Sequence, residues 1–166
     1  TKPCVVDADA LNCVSLGVPL PPASCVLTPH AGEMSRLLEL STAEIQSDRF
    51  KTIEQAASRF GTTVLLKGPF TVVGEPDRPI LVNTTGNPGM ATGGMGDTLT
   101  GIIATLLSED LPAYCAAACG VHWHGLAGDI CACEIGTIGY TAVDVSNALP
   151  AARVRILSSC ESKPPC

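Results

Sequence analysis

The feature that constrains the fold most is a glycine-rich segment, residues 86–97, which precedes a long run of apolar residues. Its five glycines permit backbone conformations in which several N–H groups converge on an anion. The apolar run predicts a helix over 97–108, and the N-terminus of that helix adds partial positive charge. The segment therefore predicts an anion-binding turn at a helix start, with Gly93, Gly94 and Gly96 as the anion hole.

A carboxylate, Asp97, ends this turn. A fixed negative charge competes with a bound anion, so its presence there needs a separate explanation. One explanation is that Asp97 is the base for a hydroxyl that attacks, or loses, a phosphoryl group. The alternative is that Asp97 only caps the helix. The surrounding glycines favour the catalytic interpretation.

Short apolar runs alternate with helical patterns along the rest of the chain. Strands are predicted to start at Cys4, Cys25 and Thr63, and a small antiparallel pair is predicted at 71–74 and 80–83. The other predicted elements are a short helix starting at Ala31 or Gly32, helices at 48–60 and 113–135, and one or two helices within 143–159. This alternation predicts an α/β fold with a parallel sheet and crossover connections.

Three parallel strands are fewer than the typical sheet of about five or six. The chain is therefore interpreted as one partial domain, residues 1–160, followed by a polar tail, residues 161–166. It is expected to be the second half of a larger domain, or a half that pairs with another chain.

Net charge and composition limit the kinds of binding partner that the chain is expected to have. A net charge of −6 without a Lys/Arg cluster argues against nucleic acid and anionic membranes, and no run approaches the ~18 apolar residues of a membrane span. With 46% hydrophobic and 16% charged residues, the chain is expected to form a homo-oligomer or to associate with a complementary N-terminal half. The nine cysteines lie mostly in apolar stretches, which favours reduced thiols, a cytoplasmic location and no metal site.

Several polar residues follow predicted strands, where open α/β sheets bind ligands. Lys67, which begins a segment ending at Thr71, is expected to bind phosphate or to form a hairpin turn with a solvated ammonium. His30 is a candidate ligand contact or a helix cap. Asp7 and Asp9 are candidates for holding a cation or a ribose, or for capping a helix.

Two histidines flank Trp123 in a predicted helix, and residues two apart on a helix do not share a face. A metal pair of His122 and His124 is therefore not expected. His124 is instead predicted to form a buried hydrogen-bonded pair with Asp129. Glu33, in a first helical turn, is assigned a structural role.

Five segments together resemble one known family. They are VDADALN at 6–12, LTPHAGE at 27–33, LKG at 66–68, GNPGMATGGMGD at 86–97 and GVHWHGLAGD at 120–129. In this order they are similar to the ADP-dependent NAD(P)H-hydrate dehydratases of the ribokinase-like superfamily, over about residues 5–153. The resemblance implies a three-layer α/β/α sandwich, lacking its N-terminal strands.

The resemblance also implies an activity, the repair of the 6-hydroxy hydrates of NADH and NADPH. In that chemistry ADP, accompanied by Mg²⁺, phosphorylates the hydrate hydroxyl, and phosphate then leaves to restore the dihydronicotinamide, with AMP as the other product. Asp97 would contact the hydroxyl as base, and His30 would contact the hydrated dinucleotide. The implied nucleotide-binding residues are Lys67, Gly68, Pro69, Phe70, Thr71 and Gly96.

Two departures from the family pattern accompany the resemblance. Members usually have a small residue, often serine, where Met95 stands; its side chain either crowds the anion hole or points away. Members also carry further residues before the 6–12 segment, which supply the first strands and part of the hydrate-binding wall. Two alternative functions remain open: a kinase for a vitamin-precursor alcohol, and an inactive nucleotide-binding or assembly module.

Overall fold

A computed structural model describes residues 2–21 and 24–161 of the chain. Its strands form a single sheet in chain order, β1-β2-β3-β4-β5. The strands are β1 (Cys4–Val6), β2 (Cys25–Leu27), β3 (Thr63–Leu66), β4 (Val72–Gly74) and β5 (Leu81–Val82). β1, β2 and β3 are parallel, whereas β4 and β5 are antiparallel to their neighbours, as the sequence predicts.

Seven α-helices are found among the described residues. They are α1 (Asp9–Ser15), α2 (Ala31–Leu38), α3 (Thr42–Ser47), α4 (Arg49–Phe60), α5 (Met95–Ser108), α6 (Ala113–Glu134) and α7 (Ala142–Glu161). The predicted helices are confirmed, and the closing region is one helix, α7, despite an internal Pro150. Gly61 ends α4 with φ of 61°, a left-handed conformation that favours glycine.

Successive residues of β3 point to opposite faces of the sheet, and this alternation defines the layers. Val64 and Leu66 lie in a buried cluster with apolar residues of α1 to α4. Leu65 lies in a second cluster with residues of α5 and α6. Helices therefore cover both faces of the sheet, which confirms the three-layer α/β/α arrangement, and α7 packs on α6.

The predicted tail, residues 161–166, lies outside the described residues except for the backbone of Glu161, which ends α7. Within residues 2–21 and 24–161, every helix is too short or too polar to span a membrane.

Candidate functional site

The carboxyl ends of the three parallel strands place charged side chains at one edge of the sheet. The Lys67 ammonium, after β3, donates to Oδ1 of Asp7, after β1, over 2.7 Å. Thr100 of α5 donates to the other Asp7 oxygen over 2.9 Å. Burial alone would raise the pKa of Asp7, but Lys67 and the threonine hydroxyls hold it below its ordinary value. Asp7 therefore binds the protein's own lysine, whereas Asp9 accepts a hydrogen bond from Asn12 in α1.

A second carboxylate faces the same lysine. Glu33 lies 3.7 Å from the Lys67 nitrogen, and both side chains are largely buried. The ammonium thus lies between two carboxylates, Asp7 and Glu33, whose negative charges reduce its electrostatic attraction for a phosphate. An ammonium has three N–H donors, so a ligand can still take one of them.

His30 begins α2 as its N-cap. Its Nδ1 accepts from the backbone N–H groups of Gly32 and Glu33, and the Glu33 carboxylate accepts from the His30 N–H, which completes a capping box. The capping role and the structural role of Glu33 are both confirmed. Because Nδ1 accepts, the proton of the neutral ring is on Nε2, which lies 3.4 Å from Glu33 on a side chain that is 55% exposed. A ligand can therefore still reach Nε2–H.

The glycine-rich turn lies directly over the lysine–aspartate pair. A Cβ on Gly96 would stand 3.6 Å from the Lys67 nitrogen and 3.7 Å from Asp7 Oδ2. Helix α5 begins at Met95, after an N-cap at Gly94 with φ of 84°. The helix therefore starts two residues earlier than predicted, and its N-terminal N–H groups follow the glycines.

Asp97 is the third residue of α5 and is exposed. The alternative that it is the N-cap is wrong, because Gly94 has that position. Asp97 is also free of side-chain hydrogen bonds and ion pairs to any residue that the structure describes. An available carboxylate in this position fits a residue that acts on a ligand.

Met95 is buried in a cluster with Ala127, Ile130 and Tyr140. Its side chain therefore points into the protein and away from the exposed Gly93, around which a Cβ would meet nothing within 4 Å. Burial in this cluster agrees with the orientation that points away from the turn, although Met95 also lines the cleft beside Gly96.

A cleft of about 560 Å³ opens beside this turn. All six predicted nucleotide-binding residues line it: Lys67, Gly68, Pro69, Phe70, Thr71 and Gly96. The opposite wall consists of the loop 83–88 and the α6 residues Val121, His124 and Gly125. Asp97, His30, Gly93 and Gly94 are not among the residues that line the cleft, and of these Gly94 and Asp97 flank the lining residues Met95 and Gly96 in the chain.

Asp129 of α6 holds the start of the glycine-rich segment. Its carboxylate accepts from the Gly86 N–H over 2.9 Å and from the Asn87 side-chain amide over 3.0 Å. Asn87 in turn accepts from the Tyr140 hydroxyl over 2.6 Å. The predicted pair of His124 with Asp129 is therefore wrong. Residues five apart on a helix are rotated by about 140° and face different neighbours.

His124 is 8% exposed, and its Nε2 has no hydrogen-bond partner in the described part of the chain. Burial lowers its pKa to about 4, so the ring is neutral near pH 7.

Arg49, at the start of α4, is a residue that the sequence analysis missed. Its guanidinium donates to the Leu66 carbonyl over 2.9 Å and would be 3.3 Å from a Cβ on Gly68, which has φ of 136°. Arg49 thus supports the turn after β3 through its contacts with Leu66 and Gly68. The sequence shows only that Arg49 lies in the first turn of a predicted helix and gives no sign of this contact.

Comparison with known proteins agrees with this geometry. Residues 1–151 match the family model described as NAD(P)H-hydrate dehydratase. An ADP-dependent (S)-NAD(P)H-hydrate dehydratase from Neisseria meningitidis is 40% identical, over 95% of this chain and 55% of its own. A bifunctional NAD(P)H-hydrate repair enzyme from Moorella thermoacetica is 46% identical, over 89% of this chain and 28% of its own.

Solved structures show the same fold. The ADP/ATP-dependent NAD(P)H-hydrate dehydratase from Bacillus subtilis, co-crystallised with ATP and Mg²⁺, superposes with a TM-score of 0.83 at 33% identity, over 92% of this chain and 56% of that chain. A ribokinase-like superfamily protein from Enterococcus faecalis superposes with a TM-score of 0.75 at 29% identity, over 90% of this chain and 52% of that chain.

The chain thus spans just over half of the Neisseria protein and about a quarter of the Moorella enzyme. The family model covers all five sequence motifs and the cleft that they form. The chain belongs to the NAD(P)H-hydrate dehydratase family, with the ribokinase-like fold.

Proposed function

We propose that this chain supplies the ADP-binding cleft and the catalytic carboxylate of an ADP-dependent NAD(P)H-hydrate dehydratase. The β-phosphoryl group of ADP is transferred to the 6-hydroxyl of the hydrate, which releases AMP. Phosphate then leaves, and loss of a neighbouring ring proton restores the dihydronicotinamide. The observation that carries the proposal is the unpartnered Asp97, adjacent to Gly96 in the wall of a cleft lined by Lys67–Thr71.

The residues of the turn and those of the sheet edge have different roles in the proposed reaction. Backbone N–H groups from Gly93 to Gly96 and the start of α5 hold the transferred phosphoryl group. Asp97 takes the proton of the attacking hydroxyl. Lys67, oriented by Asp7, donates its remaining N–H to a phosphate oxygen.

Mg²⁺ would neutralise charge on the ADP phosphates. This ion is usually held by phosphates, water and one or two carboxylates. The described residues contain no group of three or more His, Cys, Asp or Glu side chains arranged around a common metal position, which fits an ion that arrives with the nucleotide. Glu33 is, with Asp7, one of the two carboxylates beside Lys67 at this edge, and it would hold the water shell of the ion.

His30 is proposed to contact the hydrated dinucleotide through Nε2–H, since its other nitrogen is engaged in the helix cap. We also propose a cytoplasmic location, where NADH, NADPH and ADP are used. A reducing compartment is supported by the free thiols of Cys4, Cys13, Cys115, Cys119, Cys131 and Cys133.

Association with a second copy, or with a complementary N-terminal half, is proposed as well. Large apolar side chains are exposed on and beside α7, at Ile138 (88%), Val143 (67%) and Val154 (63%). A partner that covers them would remove this apolar surface from water.

The test is to incubate the chain, alone and with the N-terminal half of a relative's dehydratase domain, with hydrated NADH, ADP and Mg²⁺. Recovery of absorbance at the dihydronicotinamide band is expected, with a loss of about 10²- to 10⁴-fold in Asp97→Asn. Asp77→Asn is the matched control, since Asp77 is exposed in a turn with φ of 60°, which asparagine tolerates.

Two outcomes would contradict the proposal: no recovery in the presence of the complementary half, or undiminished activity in Asp97→Asn. A separate incubation with a thiazole or pyrimidine alcohol and the nucleotide tests the alternative, and accumulation of the phosphorylated alcohol would identify a small-molecule kinase.

A further inference from the structure

The turn after β3, residues 67–71, has a backbone shape that is costly to maintain. Gly68 has φ of 136°, and Phe70, which is 69% exposed, has φ of 51°. A bulky side chain in the left-handed region is rare, so the surrounding contacts have to hold the turn in this shape. Within the turn, the Thr71 hydroxyl donates to the Gly68 carbonyl over 3.1 Å. Because the turn lines the cleft, its shape decides how its backbone N–H groups meet a ligand.

The guanidinium of Arg49 holds this turn from outside the cleft. Its Nη2 donates to the Leu66 carbonyl, directly before the turn, over 2.9 Å. A Cβ on Gly68 would lie 3.3 Å from Nη1, 3.6 Å from Nη2 and 3.8 Å from Cζ, so the guanidinium packs where a side chain at this position would be. Arg49 is not among the residues that line the cleft, so we expect its effect on a ligand to pass through the turn.

The position of Arg49 is unfavourable for the helix that carries it. Arg49 is the first residue of α4, after the N-cap Asp48, and a positive charge there opposes the helix macrodipole. Burial lowers the pKa of the guanidinium, and its Nε is buried without a hydrogen-bond partner in the described part of the chain. An uncharged side chain would avoid these costs in a purely structural contact. They therefore indicate a role that needs this guanidinium.

The charge balance beside the turn adds a second argument. The Lys67 ammonium lies between the carboxylates of Asp7 and Glu33. The Arg49 guanidinium instead donates from Nη1 to the neutral side chain of Gln46 over 3.0 Å, and no carboxylate in residues 2–21 and 24–161 forms an ion pair with it. A positive charge without such a partner favours an anionic ligand in the adjoining cleft.

We propose that Arg49 is a positioning residue of the nucleotide site, which fixes the turn after β3 so that Lys67 and the backbone N–H groups of the turn face ADP. The proposal rests on the proposed function, because it takes ADP as the ligand of the cleft. The planar guanidinium reaches the Leu66 carbonyl and packs on Gly68 at the same time. The compact ammonium of a lysine would keep the charge but could not make both contacts.

Calorimetric titration of the full chain with ADP and Mg²⁺ tests this role in Arg49→Gln, which removes the guanidinium, and in Arg49→Lys, which keeps only its charge. Arg59→Gln is the matched control, because Arg59 lies at the other end of α4, is exposed and is absent from the cleft lining. We expect about tenfold weaker ADP binding in Arg49→Gln, the effect of losing one hydrogen bond from a charged group. A smaller loss is expected in Arg49→Lys, and none in Arg59→Gln.

Two further readouts separate positioning from a general loss of stability. In the turnover assay with the complementary half, Arg49→Gln should raise the KM for ADP about tenfold and leave kcat unchanged, since no hydrogen bond of Arg49 in the described residues involves Asp97. In backbone ¹H–¹⁵N spectra of the ligand-free chain, Arg49→Gln should shift the amides of Gly68 and Phe70 and leave that of Gly101, inside α5, in place.

Equal ADP affinity in the wild type and Arg49→Gln would overturn the proposal and leave the proposed function intact. Equal losses in Arg49→Gln and Arg59→Gln, or a fall in kcat without a rise in KM, would overturn it too. Unshifted amides of Gly68 and Phe70 argue against it in the same way. A wild-type chain that does not bind ADP contradicts the proposed function itself. Should Arg49→Gln fail to fold, Arg49→Lys decides: weaker ADP binding than in the wild type is expected, and full affinity overturns the proposal, because charge alone would then suffice.

Discussion

Replacing Gly125 by alanine should displace the loop that forms one wall of the cleft. A Cβ at Gly125 would clash with the Thr85 hydroxyl and stand 2.7 Å from the carbonyl carbon and 2.8 Å from the carbonyl oxygen of Thr85. The latter two are backbone atoms, so no side-chain rotation relieves the contact. The close approach of α6 to the loop 83–88 therefore requires glycine at this position.

Gly101→Ala supplies the matched control. Gly101 lies inside α5, and a Cβ there would meet nothing within 4 Å. Both substitutions gain about 0.5–1 kcal/mol of helix propensity. Only Gly125→Ala adds overpacking, which typically costs about 1–3 kcal/mol. The free energy of unfolding should therefore differ by about 1–3 kcal/mol between the two variants, with Gly125→Ala the less stable.

Urea unfolding measures this difference, and calorimetric titration with ADP measures its effect on the cleft. Gly101→Ala should be more stable than the wild type and bind ADP equally well. Gly125→Ala should bind ADP more weakly, because the shifted loop carries residues that line the site. If both variants are stabilised equally and bind ADP like the wild type, the described packing of α6 against the loop is wrong.

Three further predictions concern the carboxylates. Asp7→Asn should lower the free energy of unfolding near neutral pH. Folding lowers the pKa of Asp7, so its pair with Lys67 stabilises the protein fully at pH values above the unfolded pKa of about 3.9. This stabilisation is lost as the pH falls through the lowered pKa of the folded state. Urea unfolding as a function of pH should show the wild type and Asp7→Asn converging in acid; a constant difference refutes the argument. Asp129→Asn replaces one of the two acceptor oxygens by an NH₂ group, so either the Gly86 N–H or the Asn87 side-chain amide loses its acceptor. The free energy of unfolding should fall by about 1–3 kcal/mol, and a variant as stable as the wild type contradicts the role of Asp129 in holding this loop. Asp129→Asn should also raise the KM for ADP more than it lowers kcat, and steady-state kinetics that show the reverse argue against a positioning role.

Much of the fold is visible in the sequence because its elements carry local signals. The parallel strands β1, β2 and β3 are short apolar runs, and Gly61 marks the end of α4. Helix α3 was missed although Ser41 and Glu44 form a capping box that the S-x-x-E pattern predicts. Helix α1 gives a weaker signal, because it has seven residues, buries only Leu11, and has no side-chain cap.

The candidate site is only partly visible in the sequence. The turn after β3 and the glycine-rich segment are continuous motifs, so their residues could be assigned to the cleft together. The pairing of Lys67 with Asp7 joins residues 60 positions apart, and only the sheet topology places them side by side. The partner of Asp129 was misassigned because the loop that it holds reaches α6 through a tertiary contact across 43 positions, at Gly86.

ADP is proposed to bind in the cleft between the turn after β3, the glycine-rich segment and α6. Backbone ¹H–¹⁵N spectra of the full chain, recorded during titration with ADP and Mg²⁺, test it most directly. We expect the largest shifts at Gly68, Thr71, Gly96 and His124, which line the cleft. Shifts confined to the cavity at the opposite end of the sheet, around Cys25 and Leu111, would contradict it.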